Sequence, residues 1–164
     1  MVLGERRMNP SLKSALMLAG FLVVTFGVAA LGGWVTAASA REWYPTLAKP
    51  SWTPPAWVFG PVWTLLYAMM AVAAWWVWRK AGWCGALVWY AFQLTFNAAW
   101  SLSFFGLHRV DWALADIVAL WITVAVTTIA FGKVAPLAGW IFAPYLAWVS
   151  FAVALNFVLW RLNS

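Results

Sequence analysis

The sequence predicts an all-α integral membrane protein, a bundle of five transmembrane helices whose long first loop acts as a lid. Three observations carry that expectation. Of 164 residues, 66% are hydrophobic and 9% charged, where soluble domains carry roughly a quarter charged. The charges fall in short clusters, Glu5 to Lys13, Arg41 to Lys49, Arg79 with Lys80, and Arg109 with Asp111, with Lys133 and Arg161 standing alone. Between the clusters lie apolar runs of the ~20 residues that cross a ~30 Å hydrocarbon core.

The chain reads as a single transmembrane domain over 1–164. Its first span covers about 14–38. Arg6 and Arg7 precede an apolar run ending in Ala38-Ser39-Ala40, a cleavage-like pattern. The run exceeds the roughly 7–15 residues of a signal core, so a retained helix is expected. Four more spans follow at about 58–78, 83–105, 112–131 and 137–160. They are too long and too continuously apolar for barrel strands, which alternate every second residue, and in lipid that leaves helices. The connections at 79–82, 106–111 and 132–136 are short enough to make consecutive helices antiparallel neighbours.

The exception is the loop 39–57, which holds Pro45, Pro50, Pro54 and Pro55 together with Trp43, Tyr44, Trp52 and Trp57. Proline fixes φ and removes donors, and disordered segments are poor in aromatics. A stiff aromatic loop is therefore expected to fold over the end of the bundle. Gly20 and Gly27, and Gly82 with Ala86, are small-residue patches that let helices approach. They read as intramolecular packing, with a homodimer as the alternative. Pro144 should bend the fifth helix.

The net charge is +6, yet no basic run exceeds two residues, so no nucleic-acid partner is expected. Lys and Arg at span ends are membrane anchors. Arg6, Arg7, Lys13, Arg79, Lys80 and Lys133 lie on the amino-terminal side, against Arg41, Lys49, Arg109 and Arg161 on the other. That excess favours a cytoplasmic amino terminus. Cys84 is the single cysteine.

Helical spacing places Trp89, Gln93, Asn97 and Trp100 along one side of the third span. It puts Trp63, Tyr67 and Met70 on one side of the second, and Tyr145, Trp148, Ala152, Leu155 and Asn156 on one side of the fifth. Apolar walls with a few polar fixtures describe a ligand pocket. Interhelical hydrogen-bonding by Gln93, Asn97 and Asn156 explains the amides equally well. Asp116 is the one acid well inside a span and needs a partner: either Arg109 snorkels towards it, or the carboxyl is protonated and hydrogen-bonded. His108 is the only histidine, and no phosphate loop, CxxC or HExxH occurs. No metal site and no triad is expected.

Four segments together carry a family resemblance. W-Y-x-x-L-x-K-P-S-W-x-P-P-x-W-V-F-G-P-V-W-T-x-L-Y runs from Trp43 to Tyr67, and Q-L-x-F-N-x-x-W from Gln93 to Trp100. F-F-G follows at Phe104–Gly106, and P-Y-L-A-W-x-x-F-A-x-x-L-N runs from Pro144 to Asn156. This pattern closely resembles the translocator protein, or peripheral benzodiazepine receptor, or tryptophan-rich sensory protein (TspO/MBR) family, over essentially the whole chain after residue 40.

The resemblance implies a five-helix receptor for protoporphyrin IX and heme-like tetrapyrroles, sterols such as cholesterol, and benzodiazepine-site ligands. No resident cofactor is implied, since the tetrapyrrole is ligand. The implied location is a multi-pass protein of a bacterial cell envelope or a mitochondrial outer membrane. By motif position, Trp63 and Trp148 resemble the indoles flanking the porphyrin, which are associated with its light-driven breakdown. Tyr44, Pro54, Asn97 and Ala152 resemble pocket-lining positions, as do Trp43 and Trp52 in the lid and Gln93 and Trp100 on the third helix. Tetrapyrrole sensing or regulation is the leading implied role, with porphyrin photo-oxidation as the enzymatic alternative and transport as a third.

Two features depart from the animal pattern. Phe157 stands where the sterol motif has tyrosine, between Leu155 and Arg161, which lowers the expected affinity for cholesterol. Val88 and Phe92 replace a glycine pair on the third helix, which weakens a dimer through that face.

Overall fold

The computed structural model describes residues 9–164. Glu5, Arg6 and Arg7, which entered the clustering and orientation arguments, lie outside the described residues. Five helices follow in order: α1 Pro10–Glu42, α2 Ala56–Ala81, α3 Gly85–Ser101, α4 Val110–Val134 and α5 Pro136–Leu162. Four of them, α1, α2, α4 and α5, are each long and apolar enough to cross a membrane. The 17 residues of α3 run without a break into the five-residue π-helical segment Leu102–Gly106, and the two together reach the ~20 residues a span requires. The protein is a multi-pass helical membrane protein.

Local chemistry sets the helix ends. Asn9 caps α1, its side chain accepting from the Ser11 N–H at 3.0 Å, with Pro10 in the first turn. Because nothing before Pro45 breaks the helix, α1 continues to Glu42 and has 33 residues, about 50 Å at 1.5 Å per residue. The loop is therefore shorter than 39–57 and begins at Trp43, with a 3₁₀ turn at Tyr44–Thr46. Gly82, at φ 65°, ends α2, a conformation in which a side chain is strained. Its role is thus the turn and not close helix packing. A single residue, Ala135, joins α4 to α5, and Pro136 opens the next helix. Arg79 and Lys80, Lys133 and Arg161 occupy the last turns of α2, α4 and α5, where cations offset the helix dipole and reach the interface.

Helix α4 packs on both α3 and α5, α1 on α2 and α3, and α2 on α5. The main core is built from small and medium side chains, Ala71, Ala73, Ala74 and Val77 on α2, Val124 on α4, and Ala138 on α5, closed by Phe131 and Phe142. The expected small-residue contacts fall elsewhere. Gly20 and Gly27 face open space, whereas Gly139 of α5 lies against the α4 backbone. A Cβ there would meet Gly132 Cα at 2.8 Å and Gly132 N at 3.0 Å. Pro144 lies within α5, and Pro61 within α2. Each deletes one donor, leaving the carbonyls of Trp140 and Trp57 without their helical partners.

Asp116 does not receive Arg109. The guanidinium binds Asp111 through both nitrogens, at 2.9 and 2.6 Å, and lies over Trp112. Two residues at the mouth of α4 form a shorter and less demanding pair than a snorkel across seven. The Arg109 hydrogen bonds, chiefly, hold the Asp111 carboxyl down at about 2. Asp116 is half-buried, and its Oδ2 has no partner among the described residues.

The Gly139 contact yields a paired expectation. Gly139→Ala should destabilise the protein by about 1–3 kcal/mol, because backbone and not a flexible side chain must yield. Gly132→Ala, whose Cβ meets only Gly139 Cα at 4.0 Å, should be close to neutral. Thermal unfolding of both variants in the same detergent decides, and equal midpoints would refute the close approach.

Candidate ligand-binding site

Beneath the loop lies a cavity of about 360 Å³, inside the ~300–1,000 Å³ range of ligand sites. Its walls come from α1, α2, α3 with its π-helical end, and α5. Trp63 of α2, Asn97 and Trp100 of α3, Trp148 and Ala152 of α5, and Tyr44 of the loop all line it. Among the residues assigned to the site from sequence, these six are brought together, and Tyr67, Leu155 and Asn156 of the predicted helical faces join them.

The other five lie off the wall. Tyr145 is fully buried behind it, edge-on to Trp63 at 6.1 Å. Gln93 is also fully buried, and neither of its amide atoms finds a partner among the described residues. Trp43 stacks on His108 at 4.3 Å and meets Phe104 edge-on. Trp52 packs against Phe151 with 47% of its surface exposed. Pro54 is half-buried in the stretch leading into α2. These loop residues hold the lid and do not face the space below it.

A layer of hydrogen bonds closes the cavity floor. Tyr67 OH donates to Asn97 Oδ1 at 2.5 Å, and Asn97 Nδ2 donates to Tyr145 OH at 3.0 Å. One amide therefore ties α3 to both α2 and α5. Higher up, Trp100 Nε1 donates to Asn156 Oδ1 at 2.9 Å, and Asn156 Nδ2 donates to the Val110 carbonyl at 3.1 Å. Both amides are thus committed to the protein. The open polar groups on the wall are the hydroxyls of Thr36, Tyr44 and Ser101 and the indole N–H groups of Trp63 and Trp148, none of which has a protein partner among the described residues.

The loop is fixed by contacts outside the cavity. Asn163, just past α5, accepts from the Ala48 N–H at 2.9 Å and donates back to the Ala48 carbonyl at 3.0 Å. Ser39 Oγ donates to the Phe105 carbonyl at 2.6 Å, leaving His108 Nε2–H to donate to Ser39 Oγ at 3.0 Å. His108 holds this position at φ 55°, which only a few non-glycine residues adopt. Burial raises the Tyr44 phenol above its usual range, so the lid contributes a neutral hydroxyl to the wall.

Sequence reasoning missed the α1 wall, formed by Ala29, Gly32, Gly33, Thr36 and Ala40. At Gly32 a Cβ would approach Ser101 Oγ to 3.0 Å, so any side chain there would have to push the hydroxyl aside. It also missed Phe59, Phe104 and Phe105, although the F-F-G triplet that carries two of them was in view. Asn163 had no signal beyond its place after the last helix. Trp89 was placed on the Gln93–Asn97 side, but it is 41% exposed. Each four-residue step overshoots a 3.6-residue turn, so over two steps the stripe rotates out of the interior.

The two amides give a direct test. Gln93→Met should leave stability unchanged or raise it by about 1 kcal/mol, since it removes an unpaired buried amide. Asn97→Leu should lower stability by about 1–3 kcal/mol, because two tyrosine hydroxyls lose their partner. Thermal midpoints in detergent measure both, and a loss at Gln93 as large as that at Asn97 would contradict the assignment.

Comparison with known proteins agrees with these features. The TspO/MBR family model matches residues 21–161. A tryptophan-rich protein TspO of Chlorobaculum tepidum is 43% identical over 155 residues, covering 92% of this chain and 98% of that protein. A tryptophan-rich sensory protein of Cereibacter sphaeroides is 47% identical over 122 residues, 74% of this chain and 77% of that one. The human translocator protein is 43% identical over 127 residues, with 74% and 75% covered. With the match running from the first helix to the last turn of α5, the chain belongs to the TspO/MBR family.

Proposed function

We propose that the protein is a membrane receptor for tetrapyrroles of the protoporphyrin IX type and for other flat hydrophobic molecules, serving tetrapyrrole sensing or regulation. One observation supports this most: two large indoles, Trp63 and Trp148, stand on the wall of a single cavity roofed by an aromatic loop. Indoles offer broad apolar faces for a macrocycle. Phe59 sits edge-on to Trp148 at 5.9 Å, and Tyr67 lies beside Trp63 at 5.5 Å. Both indoles are thus held in place before a ligand arrives, which lowers the entropy lost on binding. The names of the relatives, one sensory and others translocators, accord with a small-molecule role.

The same pair favours a second reading, light-driven oxidative breakdown of bound protoporphyrin promoted by Trp63 and Trp148. The oxidant in that reading is dissolved dioxygen, and the indoles are oxidisable groups beside the macrocycle that light excites. Sterols are a further ligand class, against which Phe157 stands half-exposed on the outer face of α5, away from the cavity lining. A homodimer is left to direct measurement of mass.

Protoporphyrin IX should quench tryptophan fluorescence saturably, and Trp148→Phe should raise the apparent Kd about two- to tenfold. Quenching that never saturates and is matched by empty micelles would end the receptor reading. Under illumination, porphyrin absorbance lost equally fast in the Trp63→Phe, Trp148→Phe double variant would leave binding alone.

A further inference from the structure

We infer that Lys49 is the group that selects carboxylated macrocycles, holding ligand carboxylates at the lid while the apolar ring enters the cavity. The inference rests on the tetrapyrrole reading of the site and adds an orientation and a specificity to it.

No residue lining the cavity carries a charge: the wall is made of aromatic and aliphatic side chains, glycines, two asparagines and four hydroxyl-bearing residues. The asparagines are already engaged, Asn97 by Tyr67 and Tyr145, and Asn156 by Trp100 and Val110. A carboxylate buried there would meet no cation and only a few neutral donors, the open hydroxyls and indole N–H groups of the wall, which do not offset a desolvation penalty of several kcal/mol. A ligand that carries carboxylates at one edge must therefore leave that edge outside. The floor is sealed by the tyrosine–asparagine layer, so the edge that stays in water lies at the lid.

At the lid one cation touches the wall. Lys49 Nζ sits 4.7 Å from the centroid of the Tyr44 ring, and Tyr44 lines the cavity. The ammonium is thus a single ring away from the ligand space. It donates to the carbonyls of Pro45 at 3.2 Å and Leu47 at 3.0 Å, both neutral acceptors. An ammonium has three donors, so one is open to a carboxylate. Among the described residues the only ion pair is Arg109 with Asp111, and no acid, Glu42 included, neutralises Lys49. The neighbouring Tyr44 stays a neutral phenol, as burial dictates. The other cations at this end are placed differently. Arg109 is occupied by Asp111, and Arg41 and Arg161, in the last turns of α1 and α5, make no hydrogen bond, ion pair or cation–π contact among the described residues.

Prolines on both sides fix the position of this lysine. Pro45 and Pro50 bracket it, and the Ala48 clamp to Asn163 pins the preceding residue. The charge is therefore presented from a stiff segment, with less entropy to lose on pairing than on a free loop.

The test titrates the full chain in detergent with protoporphyrin IX and, separately, with its dimethyl ester, which has the same ring and no charge. Lys49→Met should raise the Kd of the diacid about three- to tenfold and leave that of the ester within about twofold. Lys49→Arg should restore the diacid, and added salt should weaken the diacid and not the ester. Equal losses for both ligands in Lys49→Met would show that the lysine only holds the lid, and an unchanged diacid Kd would remove its role altogether. Should the wild-type protein bind neither porphyrin saturably, the tetrapyrrole reading itself fails and takes this inference with it. Binding of both, with no discrimination at Lys49, defeats the inference alone.

Discussion

The amide of Asn97 divides this molecule in two. It accepts from Tyr67 and donates to Tyr145, so three helices meet at one hydrogen-bonded layer inside the bilayer. On the lid side of that layer, Trp63 and Phe59 of α2, Trp100 and Phe104 of α3, and Trp148 and Leu155 of α5 face a cavity. On the other side, Ala71, Ala74, Leu87, Leu94 and Phe142 fill a continuous core. The division has a simple cause. Buried polar atoms in lipid must find partners within the protein, and the three that meet here can do so only if the helices hold a fixed separation. Once that separation is set, small side chains fill one half and a roof must cover the other.

The roof obeys the same logic from outside. Its proline-rich backbone lacks donors for regular structure, so side chains and caps supply the fixings: Asn163 on Ala48, and Trp43 stacked on His108 with His108 bonded to Ser39. None of these contacts passes through the cavity. The lid can therefore keep its position while the space below it fills or empties. Among the described residues the wall below stays free of charge, and Lys49 stands over the Tyr44 ring beside it.

Much of this was legible in sequence, and the misses have physical reasons. Apolar run length and charge clustering disclosed the helices, because hydrocarbon thickness leaves few alternatives. Aromatic spacing placed Trp63, Trp100 and Trp148 each on one face of its own helix, and the family resemblance joined them in one site. Gln93 looked equivalent to Asn97 because it lies one turn away, but only Asn97 has a tyrosine within reach on either neighbour. The α1 wall was illegible. Its residues are small and unremarkable, and their role arises from what they leave empty. Gly32 matters through Ser101, a contact between helices that no spacing within one helix reveals. Gly20 and Gly27 carried the stronger pattern and face open space.

That empty wall has a counterpart across the cavity. Helices α1 and α5 both line the cavity, yet α1 packs on α2 and α3 and not substantially on α5, so the two stand across the space from each other. One presents Ala29, Gly32, Gly33 and Ala40, and the other Trp148, Ala152 and Leu155. Backbone with little side chain on one side thus faces a broad indole on the other. Between Thr25, bonded to Tyr90, and Ser39, bonded to Phe105, α1 makes no side-chain hydrogen bond to another helix among the described residues. Its stretch of the wall is therefore held by packing alone, and a side chain added at Gly32 would press on the Ser101 hydroxyl where α1 packs on α3.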